Sequence, residues 1–294
     1  MLASVLSLLM AEDDVALGRP GSYSRQLATY EIREPALSPG LGQDLRQALL
    51  TGQIRAYFQP KFDLASGAVS GVEVLARWHH PDFGVVSPER FIGALARYGW
   101  LDALLFQQFY EGARLQGEAR EAGHRLSLSF NIMPDQLSQT HFFEQVRAAL
   151  EACSLAGDSV TFEVLEGTVI QGLDVCLQNC EQLRTLGCRL SMDDFGIGFS
   201  SLHRLCQLPF DEIKLDREFV QALGQDPRGQ AVIISTLALG TALKVPVIIE
   251  GVETHPQRLQ LLELGAIHAQ GYLCGMAMPR QELVGWLAGR GEWT

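Results

Sequence analysis

From about residue 43 onward, short apolar runs alternate with longer amphipathic stretches. The runs at 54–60, 69–76, 126–131, 159–164, 188–193, 211–215, 246–250 and 267–270 predict strands. Between and around them, helical spacing predicts helices over 88–97, 101–122, 140–152, 174–186, 199–206, 227–243, 255–264 and 280–288. Ahead of the first strand, "QDLRQALLTGQ" reads as a short amphipathic helix closed by Gly52. Strand–helix alternation repeated this often argues for a parallel α/β sheet, and eight units in this length fit a closed (β/α)8 barrel better than an open one. No G-x-G-x-x-G follows the first strand, which weakens a dinucleotide-binding reading.

Residues 1–42 break the pattern. "GRPGSYS" and "EPALSPGLG" carry Gly, Pro and Ser without a sustained period, so this segment reads as an N-terminal extension and 43–294 as one barrel domain. The opening "MLASVLSLLMAEDD" lacks a basic flank and a cleavage site, which disfavours a signal peptide. The apolar run "AVIISTLALGTAL" ends at Lys244 and Pro246 and suits a buried helix, so no membrane insertion is expected.

Composition narrows the class of partner. The 294 residues are 47% hydrophobic and 19% charged, with a formal net charge of −11. Such acidity disfavours duplex nucleic acid, whose binding needs basic surface against phosphate. The six cysteines form no C-x-x-C and fall mostly on apolar or helical patterns, as expected for reduced, structural residues in a cytoplasmic protein.

The predicted strand ends carry the chemistry. "GVEVLARW" supplies Glu73 and Arg77, "LSLSFNIMP" Asn131, and "VTFEVLEG" Glu163 and Glu166. "RLSMDDFG" supplies Asp193 and Asp194, "FDEIKLD" Lys214 and Asp216, "VPVIIEGVET" Glu250 and Glu253, and "IHAQGY" Gln270. Any one of them could be a helix cap or a turn residue. Barrel active sites, however, lie at the C-terminal ends of the strands, so closure would gather these groups in one bowl. Crowded carboxylates repel, and hard divalent cations with oxygen ligands relieve that conflict. Asp193 is the better placed of the adjacent pair to bridge two ions. Lys214 is one of only three lysines and stands at the polar end of a short apolar strand. It reads as a cation that meets developing charge or orients a water. The seven histidines are scattered, and neither H-E-x-x-H nor G-x-S-x-G occurs.

The ordered segments "YFQPKFDLASGAVSGVEVLARWHHP", "FNIMPDQL", "FEVLEG", "MDDFGIGFSSL", "LPFDEIKLDREFV", "EGVET" and "QGYL" resemble the EAL-domain cyclic di-GMP phosphodiesterases over about 52–288, above all those of response regulators. The resemblance implies a modified TIM barrel whose first strand is antiparallel, and hydrolysis of cyclic di-GMP to linear pGpG. It implies two Mg²⁺ or Mn²⁺ ions on Glu73, Asn131, Glu163, Asp193 and Asp194, with Glu250 close by. Lys214 would position or deprotonate the attacking water, and Gln270 would help fix it. Gln59, Arg77 and Asp216 would contact the nucleotide, and Glu166 would shape the loop after Asp194. A homodimer through about 194–225 is also implied.

This chain departs from the family pattern in four places. Val74 replaces the alanine of E-A-L and is expected to pack behind its strand. Leu165, Ile197 and Phe199 stand where polar groups are usual. The three changes near the loop raise an alternative, a catalytically weak or inactive barrel acting as a cyclic di-GMP receptor or protein-interaction module. The carboxylates by themselves also permit another metal-dependent barrel enzyme, acting on a phosphate ester or an enolisable acid.

Overall fold

The computed structural model describes residues 41–165, 172–197 and 201–289. Eight strands close a barrel: β1 (Ile54–Asp63), β2 (Val69–His80), β4 (Ser127–Ile132), β5 (Val160–Leu165), β6 (Arg189–Phe195), β7 (Glu212–Leu215), β8 (Val247–Ile249) and β9 (His268–Gln270). The order around it is β1-β9-β8-β7-β6-β5-β4-β2, and pairing of β1 with β2 completes the circle. From β2 to β9 every barrel pairing is parallel, whereas β1 runs antiparallel to both of its barrel neighbours. All eight strands expected from the apolar runs are present, as is the reversed first strand. Two short strands were not anticipated: β3 (Gly84–Val86), a hairpin on β2, and β10 (Met278–Pro279), paired to β1. The helices Pro134–Leu137 and Arg217–Gln221 were also missed, because four or five residues are too few to show a period.

Strand alternation sorts the side chains into two environments. Val72 and Val74 of β2, Leu128 and Phe130 of β4, Phe162 of β5 and Met192 of β6 belong to one apolar layer between barrel and helices. Val74 is thus packed behind its strand, as expected. In that layer Phe109 of helix Leu101–Glu121 stacks on Phe130 at 4.3 Å and on Phe162 at 5.9 Å. Burying each such side chain contributes about 1.5–3 kcal/mol. Gly112 lets the same helix approach closely: a Cβ there would press on Leu128 and Phe130 at 3.1 Å. A second cluster, with Leu45, Leu49, Ile54, Trp78 and Phe91, seats helix Leu41–Leu50.

The alternate positions carry Lys61, Glu73, Ser129, Thr161, Glu163, Ser191, Asp193 and Lys214, all buried. A barrel interior is ordinarily filled with branched apolar side chains. Here its lining is polar and charged. Among the described residues all six cysteines are free, and no helix is long and apolar enough to cross a membrane.

Candidate active site

Lys214 is the centre of the bowl. Its Nζ, 1% exposed, lies 2.7 Å from Glu250 Oε1, 2.8 Å from Glu163 Oε2 and Asp193 Oδ1, and 3.4 Å from Glu73 Oε2. These four carboxylates come from β2, β5, β6 and the residue after β8. Glu73 is held from two further strands. Its Oε1 accepts from Asn131 Nδ2 and its Oε2 from Gln270 Nε2, each at 2.7 Å. Gln59 sits opposite Glu73 in the β1–β2 register.

Asp193 and Asp194 could not both face the bowl on a regular strand, since consecutive side chains point to opposite faces. The β6–β7 register shifts between Met192 and Phe195, and Asp194 takes φ +55°. This bulge in the left-handed region, which aspartate tolerates better than most residues, re-aims the second carboxylate. Oxygens of Asp193, Asp194 and Glu250 then lie within 4.8 Å of one another.

Charge sets the protonation of the group. Burial drives the Asp194 carboxyl up to about 7, and the Asp193 and Asp216 charges add to the shift. Burial drives Glu250 up to about 8, with Lys214 opposing and Asp193 and Glu73 adding. Burial raises Glu73, helped by Glu163, and raises Asp193 despite Lys214. Glu163 goes the other way: burial opposes its charge, but Lys214 and Lys61 hold it at about 2. Lys214 is lifted well above the ordinary lysine value, because its four carboxylates outweigh the burial that opposes its charge.

The donor set fits a hard divalent cation. Every ligand atom of the Asp193–Asp194–Glu250 group is a carboxylate oxygen, and the buried Oε1 of Gln270 has no hydrogen-bond partner among the described residues. Without cations, Lys214 in the bowl and Lys61 on Glu163 and Glu212 offset the converging negative charge.

The remaining expected residues divide. Asp216 is buried, with Oδ1 committed to capping helix Arg217–Gln221 through the Glu218 N–H at 2.7 Å. Arg77 lies over the Tyr57 ring at 6.0 Å, its Nη1 donating to the Ala76 carbonyl. Glu253, a strand-end acid in the sequence, does not join the bowl: it is exposed, in the turn that caps helix His255–Glu263. Glu166, Phe199 and the extension over 1–40 lie outside the described residues.

Lys61 was missed. Its Nζ reaches Glu163 Oε1 at 2.7 Å, Ser129 Oγ at 2.8 Å and Glu212 Oε1 at 3.2 Å. The signal was available, because Lys61 shares the inward face of β1 with Gln59 by simple alternation.

A barrel closed by one reversed strand, with a carboxylate bowl at the C-terminal strand ends, defines the class of protein. The chain belongs to the EAL domain family, whose model matches residues 42–277. It is 40% identical over 284 residues to the cyclic di-GMP phosphodiesterase RocR of Pseudomonas aeruginosa, covering 93% of this chain and 72% of that one. It is 35% identical over 246 residues to the bifunctional diguanylate cyclase/cyclic di-GMP phosphodiesterase MucR of the same organism, covering 83% of this chain and 36% of that one. The solved structure of the MucR phosphodiesterase in complex with c-di-GMP superposes with a TM-score of 0.76 at 35% identity, covering 83% of this chain and 99% of that one. Phosphodiesterases of this family depend on metal, in keeping with the all-oxygen group.

Proposed function

We propose that this chain hydrolyses cyclic di-GMP to linear pGpG, lowering the cellular level of the messenger. One observation carries the reading: Glu73, Asn131, Glu163, Asp193, Asp194 and Glu250 converge around Lys214 at the mouth of an EAL barrel. The charge balance supports bound cations: Glu73, Glu163, Asp193, Asp194, Asp216, Glu212 and Glu250, when ionised, outnumber the Lys61 and Lys214 ammonium groups, an excess that divalent cations neutralise. Two Mg²⁺ or Mn²⁺ ions held by Glu73, Asn131, Glu163, Asp193 and Asp194 would activate a water and stabilise the leaving oxygen.

The chain's own groups do the rest. Lys214 holds the attacking water on its line toward phosphorus and offsets the charge that builds on the phosphoryl oxygens. Gln270 presents its unpartnered Oε1 to a proton of that water, while its Nε2 stays on Glu73. Glu250, 2.7 Å from Lys214, holds that ammonium in place at the rim. Gln59, Arg77 and the free oxygen of Asp216 contact the nucleotide, and Glu166 supports the loop after Asp194. Water adds to one phosphorus and the ring P–O bond breaks, leaving a 5′-phosphate and a 3′-hydroxyl.

The test is incubation of the full chain with cyclic di-GMP and Mg²⁺ or Mn²⁺, followed by chromatography for pGpG. Tight nucleotide binding with no product over many hours would make this barrel a receptor instead. The altered residues motivate that second reading: Leu165 ends β5, and Ile197, where the resemblance implies threonine or alanine, is 54% exposed.

We assign residues 1–42 to an extension and 43–294 to the barrel domain, in the cytoplasm. We also propose a homodimer through 194–225. Within it Ile197 and Leu202, 54% and 63% exposed, offer apolar surface. The double variant Ile197→Asp, Leu202→Asp is expected to sediment as monomer at concentrations where the unaltered chain sediments as dimer.

A further inference from the structure

The charged floor of the barrel has a consequence for which cation the site accepts. Glu163 is fully buried, and its two oxygens face different partners. Oε2 is 2.8 Å from Lys214 in the bowl, whereas Oε1 is 2.7 Å from Lys61 below it. Lys61 is itself fixed at three points. Besides Glu163 it donates to Ser129 Oγ, and it pairs with Glu212, whose Oε1 also accepts from Ser191 Oγ at 2.9 Å. Strands β1, β4, β5, β6 and β7 therefore all hold this one arrangement. Buried networks satisfied at each atom resist rearrangement, because any shift leaves a desolvated charge unpaired.

We infer that Lys61 is a specificity-determining positioning residue: by occupying Oε1 of Glu163 it restricts that carboxylate to one oxygen toward the bowl and so biases the site toward small cations over Ca²⁺. The inference rests on the proposed ligand role of Glu163. Mg²⁺ demands near-octahedral geometry with single oxygens at short distance, while Ca²⁺ accepts six to eight ligands and gains from carboxylates that bind through both oxygens. A Glu163 released from Lys61 can rotate and offer both. Lys61 touches neither substrate nor cation in this scheme. It acts on the cation through Glu163, while Ser129 and Glu212 hold it in place.

The experiment is calorimetric titration of the full chain, freed of metal by chelation, with Mg²⁺ alone and with Ca²⁺ alone. The unaltered chain, Lys61→Met and Lys61→Arg are compared. In Lys61→Met the affinity for Ca²⁺ relative to Mg²⁺ is expected to rise about tenfold, the scale on which partners behind a metal ligand act. Lys61→Arg keeps a cation on Oε1 and is expected to restore most of the original ratio. If Lys61→Met does not fold, the double variant Lys61→Met, Glu212→Gln removes the unpaired floor carboxylate and reads the same ratio. An unchanged ratio, or a parallel loss of both affinities, overturns the inference while leaving the metal site intact. If the unaltered chain binds neither cation, the ligand assignment itself fails and the inference falls with it.

Discussion

Replacing Glu73 by alanine is expected to lower hydrolysis of cyclic di-GMP by at least about a thousandfold. That corresponds to the several kcal/mol a bound cation contributes to stabilising the charge of the transition state. Glu73 is the residue on which the bowl converges from most directions: Asn131 of β4, Gln270 of β9 and Lys214 of β7 all reach its two oxygens. Removing it deletes a proposed ligand and unlocks the Asn131 and Gln270 amides. The loss should not come from unfolding. Burial and the neighbouring Glu163 already hold the Glu73 carboxyl above its usual range, so its charge is unwelcome in the metal-free fold. The melting temperature of metal-free Glu73→Ala is therefore expected to stay near that of the unaltered chain, relief of that charge offsetting the donors freed at Asn131 and Gln270. Both quantities are read on one preparation, by product chromatography and by circular dichroism in chelator. Turnover within tenfold of the original would remove Glu73 from the ligand set.

Lys214→Met is expected to lose activity to a similar extent and, unlike the first variant, to lose stability as well. In chelator near pH 8 the loss is expected to be about 3–5 kcal/mol, the range found when one partner of a buried ion pair is removed. The ammonium is 1% exposed and faces four carboxylates, so methionine leaves their repulsion uncompensated. The sign of the pH dependence follows from the two carboxyls raised to about 7 and about 8. Their unfolded values are about 3.9 and 4.3. Between roughly pH 4 and 8 the folded state therefore holds more protons than the unfolded state, and these groups make stability fall as pH rises. Protonated at pH 5, they need Lys214 little; ionised above pH 8, they need it most. Urea denaturation should show a smaller deficit at pH 5, where ionised Glu163 still faces Lys214, than at pH 8, with Mg²⁺ recovering part of it. A deficit equal at both pH values, and indifferent to Mg²⁺, would mean that Lys214 acts through packing and not through charge.

What the sequence by itself determined is the set of faces. Apolar runs of strand length mark β1, β2 and β4 to β9, and the period of two within each run separates Val72, Val74, Phe130 and Phe162, which need an apolar layer, from Glu73, Asn131 and Glu163, which cannot enter one. That separation is local physics, because consecutive side chains on a strand point to opposite sides. It sufficed to name the barrel and most of the bowl.

The tertiary structure alone decided which of those groups meet. Glu73 and Gln270 are 197 residues apart, and no spacing in the chain encodes their contact. Their meeting depends on the register at which the reversed β1 closes the barrel between β2 and β9. The bulge that turns Asp194 beside Asp193 and the descent of Lys61 onto Glu163 are equally products of closure, whereas the cap that occupies Asp216 is a local contact two residues long. Hydrophobic alternation fixes a side chain's direction, but only strand pairing fixes its distance from charges on other strands. At this site the chemistry is set by those distances.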